Sequence, residues 1–346
     1  MPSRFFELPE IDAQSEQAWR RLAERSVDAN PFFEPNFVIP AARHLGGRSA
    51  GLLVLEEGGE WLACLPVTGR GVWRTPYTFL GTPLVAPGAE AALPGLLLEG
   101  RRGTIAGAAM LDQLPRASAA WRTLEDAIAR GDLVPLLERE FDRAAFVPNG
   151  RGPELPLPSR RRADLRRTRR RLEERLGGDV VYAPSPPDDE TIARFLELEA
   201  GGWKGEAGTA LASRESHAEF FAEMCRRFGR AGRIEIVSMS CAGRVVAMAT
   251  MLRSGDCRYA FKIAIDEEFR KQAPGAQLIV ELAEHPPEGA AAFMDSCSAP
   301  DNETMNRLWP DRRELVTVVL ARPGVRAGVM KRALRVAGAV RAGEAA

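Results

Sequence analysis

The apolar and polar positions change period several times along this chain, and each change predicts an element. The stretch RYAFKIAIDEEFRKQAPGAQLIVELAEHPPEGAAAFMDSCSA, from Arg258 to Ala299, reads strand, basic loop, helix, strand. Tyr259 to Ile265 has the aromatic and β-branched content of a strand. Pro274 and Gly275 then stand where a helix begins, Pro because its missing N–H costs nothing in the first turn. Upstream, Arg233 to Met239 and Val245 to Leu252 complete a three-strand meander with Arg258 to Ile265. Ala292 to Asp295 is a further strand, followed by a short helix near Met305 and a strand from Leu315 to Leu320. Helical spacing predicts helices over Thr191 to Gly201 and Arg214 to Phe228.

The first half carries a fainter version of the same order. Helices are expected over Ile11 to Arg25 and from Pro35 to His44, and a hairpin over Leu52 to Val67 around Gly58-Gly59. A strand at Tyr77 to Leu80, an apolar helix after Pro94, a strand at Ile105 to Leu111 and helices over Trp121 to Ala129 and Leu133 to Glu140 follow. Tyr77 echoes Tyr259, Pro94 echoes Pro274 and Asp112 echoes Asp295, at separations of 182, 180 and 183 residues. Trp19 with Trp203, Gly59 with Gly243 and Ala63 with Ala247 are each 184 apart. The near-constant offset points to a duplicated domain, so the fold expected is α+β, with two tandem units of mixed, mostly antiparallel sheet flanked by helices. Pro148 to Pro158, with four prolines and two glycines, reads as the bridge. The domains expected are 1–150, 151–322 and an amphipathic basic tail, 323–346.

Composition adds limits. The 346 residues suffice for two cores, and 45% hydrophobic with 27% charged residues is ordinary for a globular protein. No apolar run reaches the roughly 20 residues needed to cross a bilayer. The N-terminus lacks the apolar core of a secretion signal. Five scattered cysteines without a CxxC pair read as free thiols, and a cytoplasmic location is expected. His44, His217 and His285 show no metal-ligand spacing, so no metal is expected. His217 reads as structural or exposed. Net charge is zero, but Ser159 to Leu176 holds nine Arg against three acidic residues. This helix is either a solvated face or a site for an anionic ligand; a stable nucleic-acid complex is not expected.

A helix start carries unpaired N–H groups and suits a phosphate. Candidate cofactor-binding residues are therefore Phe269, Arg270, Lys271, Gln272, Ala273, Pro274, Gly275 and Ala276. Lys262, in an apolar strand, could bind an anion or stabilise a developing negative charge. Strand alternation puts it on the face of Ala260 and Ala264, opposite Tyr259. Asp295, at a strand end, could accept a proton or hold a cation. Trp203, Lys204, Tyr259, Ser296 and Asn302 are candidate substrate-binding residues.

The order of elements resembles the GNAT acyltransferase superfamily. More narrowly, the arginine helix, Trp203-Lys204, SMSCAGRVVAMA, YAFKIAIDEEFRKQAPGAQL and FMDSC resemble CelD/BioF2-like acetyltransferases, and the duplication resembles the Fem aminoacyltransferases. The resemblance implies acyl transfer from acetyl-CoA or another acyl-CoA to an amine, in polysaccharide or cell-envelope metabolism. It leaves two alternatives, aminoacyl transfer from tRNA and a non-catalytic accessory protein of exopolysaccharide synthesis. It also implies a degenerate first domain. The family's acyl-CoA loop has Arg or Gln, two residues, Gly, one residue, then Gly or Ala. Gln272 and Gly275 fit its first part, but Gln277 holds the last position.

Overall fold

The computed structural model describes residues 3–46, 50–68, 71–98, 108–148, 154–202, 208, 210–285 and 292–324. Strand β1 (Ser3–Glu7) is followed by helices α1 (Ala13–Arg25) and α2 (Pro35–His44). The hairpin β2 (Gly51–Glu57) and β3 (Glu60–Thr68) comes next, then β4 (Gly71–Val72), β5 (Leu84–Val85), α3 (Leu93–Leu98), β6 (Ala108–Pro115) and α4 (Ala119–Ala129). After β7 (Val134–Phe146) come α5 (Ser159–Leu176), β8 (Val180–Ser185), α6 (Asp189–Ala200) and α7 (Glu215–Arg230). The meander β9 (Ile234–Cys241), β10 (Arg244–Ser254) and β11 (Cys257–Ile265) leads to α8 (Pro274–Glu284), β12 (Phe293–Asp295), α9 (Glu303–Leu308) and β13 (Asp311–Ala321).

The chain forms two compact units. One comprises 1–38, 47–141 and 314–346; the other comprises 39–46 and 142–313. The first unit takes back the end of β13, so its sequence is interrupted, unlike the expected run of 1–150. In it, β1, β2, β3 and β4 pair in that order, with β5 also on β3, all antiparallel. β13 pairs antiparallel with β6 through Leu315–Ala321.

Two expectations for this unit fail. Tyr77 to Leu80 forms a turn and loop rather than a strand. Thr75 and Thr78 side chains hydrogen-bond each other and the local backbone there, an alternative to a ladder. The segment expected as a helix from Leu133 is the start of β7. Gly131 ends α4 at φ 80°, and Pro135 disfavours helical backbone at the residue before it. The hairpin echo does appear: Gly59 (φ 83°) turns β2 into β3, and Gly243 (φ 79°) turns β9 into β10.

In the second unit the end of β7 is followed across the sheet by β12, β11, β10, β9 and β8. β11 and β12 run parallel, whereas β7 with β12, β10 with β11, β9 with β10 and β8 with β9 pair antiparallel. Caps set the helix limits. Asp188 accepts from the Thr191 N–H to open α6, and Gly177, at φ 77°, closes α5. Leu172 of α5 and Leu278, Ile279 and Leu282 of α8 share one core cluster with Met239, Val246, Ala249 and Met251. Each of these side chains larger than Ala249 stabilises by about 1.5–3 kcal/mol on burial. The cluster holds no residue of α6 or α7. Those helices use Phe195 and Phe221, whose rings stack at 4.9 Å, with Phe261 of β11 stacked on Phe221 at 6.4 Å.

Candidate active site

The register of β11 departs from plain alternation. Thr250 pairs with Lys262 and Met251 with Ala260, so Phe261 is an extra residue, a β-bulge. The bulge moves the side chains after it. Ala260, Ile263 and Ile265 join the cluster under α8, while Phe261 meets α7 and Lys262 meets α6. Lys262 therefore does not share the face of Ala260. By the same count Tyr259 lies on the face of Lys262, not opposite it.

Lys262 Nζ lies 3.9 Å from Glu199 Oε1. Glu199 is fully buried and its other oxygen accepts the Leu211 N–H at 2.9 Å. His217, near the start of α7, is one helical turn before Phe221. Burial, then the charges of Arg214 and Lys262, hold its imidazole below the usual value. A neutral imidazole beside the bulge is thus favoured at neutral pH. Sequence periodicity could not place His217 here, because the signal lies in the Phe221–Phe261 packing between remote segments.

Beyond Ile265 the chain makes a short 3-10 helix, Glu267–Gln272, then Ala273 at φ 51°, then α8. Phe269 is buried, with the Arg175 and Arg244 guanidinium groups each 4.7 Å from its ring centre. Arg175 also donates to the Glu268 carbonyl and carboxylate, and Arg244 to Asp266 and Glu268. The N–H groups of Phe269, Ala273 and Gln277 are already bonded to Asp266, Arg270 and Ala273 carbonyls. Those of Gly275 and Ala276 have no acceptor among the described residues. The anion-binding capacity of the segment is thus narrower than the sequence suggests. It falls on two amides, with Arg270 and Lys271 exposed beside them. Gln272 is half-buried, and its carbonyl accepts from Gln277 Nε2 at 2.8 Å. Pro274 is buried, and a Cβ on Gly275 would lie 3.1 Å from Ile265 Cγ2. Gly275 thus also lets α8 sit close on β11.

Asp295 is fully buried. Its carboxylate meets Arg143 Nε at 2.7 Å, Arg143 NH2 at 2.7 Å and Arg313 NH1 at 2.6 Å, and accepts the Cys297 N–H at 2.9 Å. Burial alone would raise its pKa; Arg143 and Arg313 outweigh that and hold it below the usual carboxylate value. Both oxygens are occupied, which makes it a poor base. Asp295 faces Tyr259 at the last registered pair of β11 and β12, where the two strands part. Tyr259 is fully buried, with Arg313 5.7 Å from its ring centre. Its phenol is raised by burial, opposed by Arg313. Tyr259 therefore offers no surface to a substrate.

The remaining substrate candidates divide. Ser296 is buried and shares a 2.9 Å hydrogen bond with Ser298. Asn302 caps α9, accepting from the Met305 N–H at 3.0 Å. Trp203, Lys204 and the basic tail from Val325 lie outside the described residues.

Residues 159–301 match the family model described as an acetyltransferase (GNAT) domain. This segment, within the second unit, carries a GNAT domain. Its fold is similar to that of FemX, at 14% identity and a TM-score of 0.62, covering 92% of this chain and 97% of that one. A conserved protein of unknown function from Bacteroides thetaiotaomicron is similar at 12% identity and 0.57, over 93% and 99%. The C-terminal domain of a putative lysylphosphatidylglycerol synthetase from Agrobacterium fabrum is similar at 13% and 0.52, over 94% and 96%. No curated protein matches the chain in sequence. The GNAT domain over 159–301 supports an acyltransferase activity for that segment. Among the described residues no group of His, Cys, Asp and Glu could hold a metal, and no helix is long and apolar enough to cross a membrane.

Proposed function

We propose that the second unit transfers an acyl group from acyl-CoA, acetyl-CoA first among them, to an amine. The observation that carries this is the bulge at Phe261 in a strand that leads, through the short 3-10 helix, to the two unaccepted amides of α8. In this reading the Gly275 and Ala276 N–H groups hold the donor's diphosphate, with Arg270 and Lys271 beside it. Lys262, steadied by Glu199, opposes the charge that develops on the thioester oxygen. The amine nitrogen attacks the carbonyl carbon, the C–S bond breaks, and the thiolate leaves. His217 takes the proton from the amine. Holding both reactants in place can supply about 7–11 kcal/mol of the barrier. Asp295 is a positioning residue that fixes the fork between β11 and β12. The CelD/BioF2-like affiliation and a role in polysaccharide or cell-envelope metabolism rest on sequence likeness. Trp203 and Lys204 remain proposed acceptor contacts.

Thermal-shift titration tests the donor. Acetyl-CoA at a hundredfold over its Kd should stabilise the chain by about 2.7 kcal/mol. The likeness to FemX favours a second reading, aminoacyl transfer from tRNA. Stabilisation by aminoacyl-tRNA and none by any CoA ester would select it. Donor binding without thiol release across an amine panel would select the accessory role.

A further inference from the structure

Helix α5 presents an outward face rich in arginine, interrupted by the exposed Glu174. Arg160, Arg166, Arg167, Arg170 and Arg171 are all exposed. Arg167 is paired with Asp164, but Arg160, Arg166, Arg170 and Arg171 make no ion pair among the described residues. Arg160, Arg167 and Arg171 follow one line of the helix, about 16 Å long at its 1.5 Å rise. The first turn holds Arg160 to Arg162, no acidic residue and no side-chain cap. Positive charge there opposes the helix dipole. By contrast α1, α6, α7 and α9 open with acidic residues. The arrangement thus works against the helix's own stability, and its charges are not consumed internally. The basic side chains are all arginine, whose fork suits phosphate oxygens.

We infer that this face docks the protein on a bilayer carrying anionic phospholipid headgroups. The four unpaired arginines reach the lower end of the cluster size that reads as anionic-lipid binding, about four to eight basic side chains. They are spread more widely than one nucleotide phosphate needs. The exposed face carries no aromatic ring on which a nucleic-acid base could stack. It carries no large apolar side chain either, so the contact is electrostatic and peripheral rather than inserted.

The test is sedimentation of the full chain with vesicles of phosphatidylcholine alone and of phosphatidylcholine with about one-third phosphatidylglycerol, at low and at about 0.15 M salt, where screening acts within about 8 Å. The chain should bind the anionic vesicles at least tenfold better, and more weakly at the higher salt. R160Q/R166Q/R170Q/R171Q should lose that preference. R130Q/R194Q/R226Q/R307Q, with equal loss of charge elsewhere, should keep it. Circular dichroism melting of both variants separates lost docking from lost folding. Equal binding to both vesicle types, or equal loss in both variants, overturns the inference. So does tighter binding to a structured RNA than to anionic vesicles, abolished by the α5 variant. None of these outcomes depends on whether the donor is an acyl-CoA.

Discussion

A carboxylate, a lysine and a histidine show how far residue type alone can mislead about chemistry. Asp295 stands at a strand end, where a base would be useful, yet two guanidinium groups occupy it. Asp295→Asn should leave Arg143 and Arg313 buried with too little opposing charge and cost about 3–5 kcal/mol in urea unfolding. A small loss of stability with a large loss of turnover would instead restore it as a base. Its folded pKa lies below 3.8, so its contribution is complete above that pH and is lost as pH falls through the lower folded value. Lys262→Met should lower kcat at least tenfold and, because it leaves the buried Glu199 carboxylate without that ammonium, should also lower stability in urea unfolding. His217 is held below 6.5. Turnover should therefore rise with pH through that lower value and level off by neutrality, and His217→Gln should flatten the rise. Neither the ion pairs of Asp295 nor the place of His217 was legible in the sequence, because each depends on segments far apart in the chain.

At the scale of elements, legibility followed local chemistry. The helices α5 to α8 and the meander β9 to β11 could be read from period, caps and glycine turns. What escaped were features decided by neighbours: the bulge at Phe261, the loop at Tyr77 and the extended start of β7. The bulge matters most, since it reassigns faces that simple alternation had given to Lys262 and Tyr259. The helix start of α8 carries its own prediction. In Gly275→Ala a gain in helix propensity of about 1 kcal/mol meets overpacking against Ile265 of about 1–3 kcal/mol. The melting temperature should change little or fall slightly. Gly275→Asp should weaken CoA binding at least tenfold in calorimetry, by setting a carboxylate against the diphosphate. Unchanged affinity would move the donor elsewhere.

For the molecule as a whole, the duplication could be read from the offsets, but its boundaries could not. The end of β13 belongs to the first unit, where Leu315 to Ala321 are buried almost throughout and pair with β6. A chain ending at Arg313 should therefore lose that unit's integrity, seen as rapid proteolysis within 1–141. A chain ending at Gly324 should resist proteolysis like the full one. Equal resistance in both would mean that the strand is dispensable.

Phe269 between Arg175 and Arg244 has a consequence for kinetics. The peptide that leads into α8 is stapled to the end of α5 and the start of β10 by these two guanidinium groups. A donor meeting such a braced cradle has nothing to wait for. Stopped-flow association should be a single exponential whose rate climbs linearly with concentration, with no plateau from a slow rearrangement.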